Sequence, residues 1–370
     1  MKKNKLFFII GLIVIIVVAA AVVFIISQAS EDEKTAENVP NITVYSTAED
    51  GFVAVSAVLA DGVTMVPVDI IAEQFNISVS ADTQKINGAD YVPLAFLDEL
   101  AGVVLSRDKN DVLKIWAADV FIQNHGWTLL SDGLVAHAGG GLFKWEYGER
   151  IDQIYTNSRE ALEFAYANGH RVFEVDFLMT FDDVLAAVHD WDRVGGKKTT
   201  EEWESVLIDG MYEALFLEDV YQFMLEKPDA FLVTDTKTFF ADNDDDIKKQ
   251  FEQLVSVAEE MDGNLLKRII PQVYDQNCYD VLMEVYPFDS VIYTLYESPD
   301  SNEEVAEFAR KHDNVKVITM EWYRLTDEFL EELTESSKRI YFFTINVHSE
   351  INRYRDMGAH GFYTDYINPK

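Results

Sequence analysis

The sequence predicts an α/β chain in three parts: one N-terminal transmembrane helix, a small α+β repeat domain, and a closed parallel (β/α)8 barrel. Three observations predict it. Leu6 to Ile26 carry no charge, a strand, Val-Pro and helix unit occurs twice before residue 116, and apolar strands alternate with amphipathic helical patterns from about residue 130 onward.

The first part spans residues 1–29. "MKKNK" is basic, and the uncharged run after it has about 21 residues, which at about 1.5 Å each reach roughly 31 Å, close to the hydrocarbon thickness of a bilayer. Basic residues before the run and "SEDEKTAE" after it predict a single-pass cell-membrane protein with its body on the extracytoplasmic side. Secretion after cleavage of a signal peptide near Ser27-Gln28-Ala29 is the competing reading, but the run exceeds the roughly 7–15 residues of a signal core. Residues 30–40 read as a polar linker.

Residues 41–116 hold the repeat. "TMVPVDIIAEQFNISVSADTQKI" from Thr64 is echoed by "DYVPLAFLDELAGVVLSRDKNDVLKI" from Asp90. The pattern resembles the small stalk domain at the N-terminus of copper amine oxidases and on many bacterial surface proteins. That resemblance implies a spacer or wall-associating module. Copper chemistry is not implied, because the segment has no His or Cys to ligate it.

Residues 117–370 form the third part. Its strand segments are "GLVAHAG", "RVFEVDFLMT", "AFLVTDTK", "RIIPQVY", "SVIYTLY", "VKVITMEW", "RIYFFTIN" and "GFYTD", with helical patterns such as "SREALEFAYANG" and "IKKQFEQLVSVAEEM" between most of them. An open doubly wound sheet is the alternative, weakened because no GxGxxG follows the first strand. The chain stops at "TDYINPK" without an eighth helix, so "AADVFIQNHGW" is expected to cover the barrel instead.

Chemistry in such a barrel sits at the C-terminal ends of the strands. His137 ends the first strand and Glu174 and Asp176 lie in the second. Asp235 and Lys237 end the third, Gln272 lies in the fourth, Asn346 ends the seventh, and Asp365 ends the eighth. The period of two puts Glu174 and Asp176 on one face, and Asp235 and Lys237 on one face. Glu174, Asp176 and Asp235 can then converge as hard oxygen ligands for Ca²⁺ or Mg²⁺. For any one of these groups a structural role competes, and Lys237 could simply hold Asp235. Two imidazoles, His137 and His189, beside a cation and a lysine are the parts that cleave a phosphodiester.

Those segments, above all "VAHAGG", the E-x-D of Glu174 and Asp176 followed by His189-Asp190, "FLVTDTK" and "MGAHGFYTD", resemble the glycerophosphodiester phosphodiesterase family, within the phosphatidylinositol phospholipase C-like barrels. The resemblance implies His137 and His189 as general acid and base, Glu174, Asp176 and Asp235 as metal ligands, and Lys237 on the phosphate. Gln272 and Asn346 are assigned to substrate or phosphate binding. Three departures stand out: Ala138 where the family has an Arg, Thr156-Asn157-Ser158 where it has Glu-Asn-Thr, and Asp235 for a Glu. Lys144 and Arg150, in the loop after the first strand, are candidates for a substitute cation or a sugar contact; an ordinary rim loop is the alternative.

The expected function is a metal-dependent phosphodiesterase at the cell surface. It would act on a glycerophosphodiester, a related polyol-phosphate polymer or a lipid headgroup. The alternative is a non-catalytic surface barrel that binds a wall or lipid phosphate. A net charge of −35, from 65 acidic and 30 basic residues, argues against nucleic acid as partner. The single cysteine, Cys278, excludes an intramolecular disulfide, and no GxSxG is present for a serine nucleophile.

Overall fold

The computed structural model describes residues 37–45, 52–75, 83–98, 103–107, 113–147, 149–241 and 243–369. The expected membrane helix, Leu6 to Ile26, lies outside the described residues. Among the described residues no helix is long and apolar enough to cross a membrane.

The barrel strands are β1 (Leu134–Ala136), β2 (Val172–Met179), β3 (Phe231–Asp235), β4 (Ile269–Val273), β5 (Val291–Thr294), β6 (Val315–Met320), β7 (Arg339–Phe342) and β8 (Gly361–Thr364). Each is parallel to the next. Thr364 of β8 pairs with Ala136 of β1, and Ala136 pairs with Phe173 of β2, which closes the ring. All eight strands expected from the sequence form. Seven helices connect them: α1 (Arg159–Ala167), α2 (Leu217–Glu226), α3 (Asp244–Asp262), α4 (Gln276–Val285), α5 (Asn302–Lys311), α6 (Asp327–Glu335) and α7 (His348–Asp356).

Their starts are written in the sequence. Ser158, Asn243, Asp275, Ser301 and Thr326 each accept a hydrogen bond from the backbone amide three residues on, satisfying a donor the first turn leaves open. Asp244, Asp245 and Asp246 add negative charge at the positive end of α3.

The strand period of two separates two cores. Phe173, Val175 and Phe177 of β2 face outward into the helix layer. Val135, Val172, Val233, Ile270, Ile292, Val317, Tyr341 and Tyr363 face inward and fill the lower half of the barrel. That end is plugged from below by Phe121, Trp127 and Leu130, with Val104 and Trp116 of the N-terminal sheet behind them. Trp127 meets Tyr341 edge-on at 6.3 Å, and the Tyr341 hydroxyl donates to the Thr128 carbonyl at 2.8 Å. The segment 118–127 therefore covers the barrel as expected. Among the described residues after β8, 365–369, the chain forms no helix. The tail packs Ile367 into the helix layer, its carbonyl 3.1 Å from Nε2 of His170.

The N-terminal part is a seven-stranded sheet. Its repeat is real in structure: Val63–Pro67 runs into helix Val68–Phe75, Ala89–Pro93 runs into helix Leu94–Asp98, and the two strands pair antiparallel with Val66 opposite Val92. One boundary differs. Residues 37–40, expected as linker, belong to strand Glu37–Tyr45, with Glu37 opposite Leu59. Pro40 is accommodated because the register breaks between Val39 and Ile42, where no amide donor is required.

Between β2 and α2 the chain inserts a small subdomain. Strand Leu185–Ala187 runs antiparallel to β2, with Ala187 opposite Phe177, and a separate cluster of Leu178, Ala186, Val188, Trp203 and Ile208 supports it.

Truncating the plug tests its importance. Trp127→Ala is expected to lower unfolding stability by about 3–5 kcal/mol in urea denaturation, the usual loss for a buried large side chain. A loss below about 1 kcal/mol would mean that the barrel floor stands without its cover.

Candidate functional site

β2 and β3 lie in register with Asp176 opposite Asp235, so Glu174, Asp176 and Asp235 converge at the C-terminal mouth of the barrel. All three are buried, and one oxygen from each lies within 4.8 Å of the others. Lys237 reaches between them, its Nζ 2.7 Å from Asp176 Oδ1 and 2.9 Å from Asp235 Oδ2. The Tyr274 hydroxyl donates to Asp235. Asn157 clasps Asp176 twice: Nδ2 donates to Oδ2 at 2.9 Å, and Oδ1 accepts from the Asp176 amide at 3.0 Å. Glu174 accepts from the Ala138 amide at 2.7 Å, its one hydrogen bond among the described residues.

The charges do not balance. Three carboxylates face one ammonium. Burial, then the charge of Asp176, pushes the Glu174 carboxyl up to about 8. Burial also opposes ionisation of Asp176, but Lys237 and the two imidazoles outweigh it and hold Asp176 below the usual carboxylate range. A divalent cation fits this set: hard oxygens on adjacent strands, buried, with two negative charges left after Lys237 is counted. Glu174, Asp176 and Asp235 are the residues that would hold it.

The histidines stand beside this cluster. His137 Nδ1 is 2.9 Å from Asp365 Oδ1, and Asn346 Nδ2 donates to Asp365 Oδ2 at 2.6 Å. His189 follows strand Leu185–Ala187, and its Nδ1 is 3.0 Å from Asp190 Oδ2. A carboxylate only accepts, so both rings carry a proton on Nδ1 and leave Nε2 without a partner among the described residues. Burial works against protonating His137, but the Asp365 hydrogen bond and the charges of Glu174, Asp365 and Asp176 raise it to about 9. The Tyr155 ring packs against both imidazoles, its centroid 4.9 Å from that of His137 and 4.4 Å from that of His189.

The remaining expected residues take other positions. Asn346 is spent on Asp365: its Oδ1 also accepts from the Asp365 amide at 2.8 Å, which places it behind the imidazole. Gln272 accepts from the Tyr363 hydroxyl at 2.9 Å. Neither rim cation substitutes for the missing Arg. Lys144 pairs with Glu146 at 3.0 Å, and Arg150 pairs with Asp152 at 2.7 Å beneath the rings of Phe143 and Tyr366. Both lie on the hairpin Leu142–Glu146 with Glu149–Gln153, whose pairing turns them toward these neighbours.

Sequence reasoning did not assign Tyr155, Asn157, Tyr274 or Asp190 to the site. Asp190 had a signal, since it directly follows His189. Asn157 had one too, in the Thr156-Asn157-Ser158 that stands where the resembled family has Glu-Asn-Thr, whereas Tyr155 and Tyr274 had none of their own. Beside Lys237 and Asp190 opens a cavity of about 510 Å³, lined in part by Trp191, Phe240 and Lys197.

No protein-family model and no curated protein matches the chain. Solved structures do. A glycerophosphodiester phosphodiesterase from Parabacteroides distasonis superposes with a TM-score of 0.50 at 19% identity, over 63% of this chain and 92% of that one. A protein from Silicibacter pomeroyi assigned the same activity gives 0.51 at 15%, over 63% and 89%. One from Galdieria sulphuraria gives 0.50 at 12%, over 64% and 94%. At these identities the shared feature is the fold: a parallel α/β barrel of the kind those phosphodiesterases have.

Cation binding is testable without any substrate. Ca²⁺ or Mg²⁺ at about 100 times its dissociation constant should add about 2.7 kcal/mol and raise the melting temperature by roughly 5–10 °C. Glu174→Gln should abolish that rise. Without metal, the wild type should lose stability as pH climbs from 4.5 to about 8, because the folded carboxyl keeps a proton that the unfolded one releases. The Gln variant should lack that slope. A metal-induced rise that survives in Glu174→Gln would remove Glu174 from the ligand set.

Proposed function

We propose that the protein is a metal-dependent phosphodiesterase acting on a glycerophosphodiester or a related polyol phosphate. The observation that carries this reading is the pair of carboxylate-backed imidazoles beside the buried triple-carboxylate cluster. Simple anion binding needs no such pair.

His189 Nε2 takes the proton of the attacking hydroxyl, whose oxygen forms a new bond to phosphorus. His137, protonated at neutral pH, delivers its Nε2 proton to the alkoxide as the old P–O bond breaks. When the attacker is the substrate's own neighbouring hydroxyl, the product is a cyclic phosphate. Water reopens it with the two imidazoles exchanging roles. Asp365 and Asp190 hold the rings and stabilise their charged forms. A cation held by Glu174, Asp176 and Asp235 supplies electrostatic stabilisation of the phosphoryl oxygens. Lys237 contributes positive charge at the same place.

The cellular setting belongs to the same proposal. Residues 6–26 anchor the chain with its body outside, and the N-terminal repeat domain serves as the stalk. That domain closes the end of the barrel opposite the mouth. An anchored chain would then present its site away from its own bilayer. This favours a wall polyol phosphate or a released glycerophosphodiester over headgroups of the anchoring membrane. Ala138, in place of an Arg, is the observation that favours the non-catalytic alternative.

The test is an assay of the purified full-length chain in detergent against glycerophosphodiesters and polyol-phosphate oligomers, with Ca²⁺, Mg²⁺ or chelator. Metal-dependent cleavage that falls at least 10²-fold in His189→Ala is the expected result. Absence of turnover on the whole panel, with cation binding intact, would replace the enzyme reading by the phosphate-binding one. Activity should also decline on the alkaline side as His137 deprotonates, at or below pH 9 once a cation offsets part of the carboxylate field. Asp365→Asn should move that limb toward 6.5, and an unmoved limb would show that another group is the acid.

A further inference from the structure

Residues 154–158, between the rim hairpin and α1, carry two non-glycine residues in the left-handed region: Tyr155 at φ 58° and Asn157 at φ 48°. Tyr155 in particular keeps this conformation only where its surroundings hold it. Both residues are held from two sides. Arg193 donates through Nη1 to the carbonyls of Ile154 at 2.6 Å and Tyr155 at 3.1 Å. The Arg193 amide donates to Asp190, the carboxylate that orients His189. On the other side Asn157 grips Asp176, and its amide donates to the Ala138 carbonyl at 3.2 Å.

The strained loop thus ties Tyr155 to the supports of both the His189 side and the cation cluster. It sets the ring against both imidazoles. Packing explains the ring but not the hydroxyl. Among the described residues the Tyr155 hydroxyl makes no hydrogen bond, and it is not among the sealed, unsatisfied polar atoms of the interior. It is therefore open to solvent on a half-buried ring. Burial, then the charges of Asp365, Asp176 and Glu174, raise its ionisation above the ordinary phenol range, so it stays a donor at neutral pH.

We propose that Tyr155 Oη donates a hydrogen bond to a non-bridging phosphoryl oxygen held between the two imidazoles, filling the place left by Ala138. Ala138 is itself fully buried, with φ 49° and its amide committed to Glu174, so that position sends no side chain toward phosphate. Lys237 is engaged by Asp176 and Asp235, and Lys144 and Arg150 are paired on the rim. Among the described residues, the phenol is a neutral donor at this mouth with no partner of its own. The inference rests on the phosphodiesterase reading for its kinetic consequence, but not for its binding consequence.

The experiment compares wild type, Tyr155→Phe and Tyr155→Ala on the full-length chain. A hydrogen bond to a charged oxygen is commonly worth about 1.5–3 kcal/mol, which is roughly 10- to 150-fold. Tyr155→Phe should lower kcat/KM by that factor. It should also weaken inorganic phosphate binding, measured by calorimetry in the presence of Mg²⁺. Melting temperature and metal affinity should stay at wild-type values. A ring that acts only as a spacer gives a different pattern: Tyr155→Phe matches wild type in phosphate affinity and kinetics while Tyr155→Ala fails, and that overturns the proposal. A wild type that binds phosphate Tyr155-dependently yet turns over nothing would keep this inference and sink the catalytic reading. A wild type that binds no phosphate overturns it outright.

Discussion

The surplus negative charge at the barrel mouth is the constraint around which the rest is organised. Glu174, Asp176 and Asp235 are removed from water on adjacent strands, and an uncompensated buried carboxylate costs several kcal/mol or takes up a proton. Lys237 offsets one charge. To reach both aspartates it adopts φ 44°, in the left-handed region. Ala138 and Asn157 adopt the same unusual conformation, one to give its amide to Glu174 and the other to clasp Asp176. Three strained backbones converging on one cluster show where folding free energy is being spent.

The same charge differentiates the histidines. His137 lies within the field of Glu174, Asp176 and Asp365 and is held cationic by it. His189 sits on the inserted subdomain, its imidazole about a third exposed, and is backed by the half-exposed Asp190. One imidazole is thus held protonated while the other stands more open to solvent. The molecule's net charge of −35 makes the local arrangement more important. The field of the distant surface is screened beyond about 10 Å at 0.1 M salt, so the electrostatics of the barrel mouth are set by Lys237, the imidazoles and the carboxylates there.

The floor beneath the site is apolar for a related reason. Tyr341, Tyr363 and the aliphatic layer above Trp127 exclude water from below, and low polarity strengthens each charge interaction above them. The N-terminal repeat domain and segment 118–127 therefore contribute to the site without touching it. Phe121 and Trp127 also seal the barrel where its polar backbone ends would otherwise meet solvent.

The strand segments, their alternation with helices and the acidic pair on β2 were readable from the sequence, because strand periodicity, caps and side-chain charge are local properties. So was the convergence of Glu174, Asp176 and Asp235, since a parallel barrel aligns the ends of neighbouring strands. What Asn346, Gln272, Lys144 and Arg150 do was not readable. Each meets a partner chosen by loop geometry: Asp365, Tyr363, Glu146 and Asp152. Tyr155 was the least readable of all. The Thr156-Asn157-Ser158 beside it says nothing of its role, and only the tertiary structure, through Arg193 on one side and Asn157 on the other, sets its ring against two histidines 34 and 18 residues away in the chain. Period and charge are written residue by residue, whereas the partner of a polar side chain depends on distances that only closure of the barrel establishes.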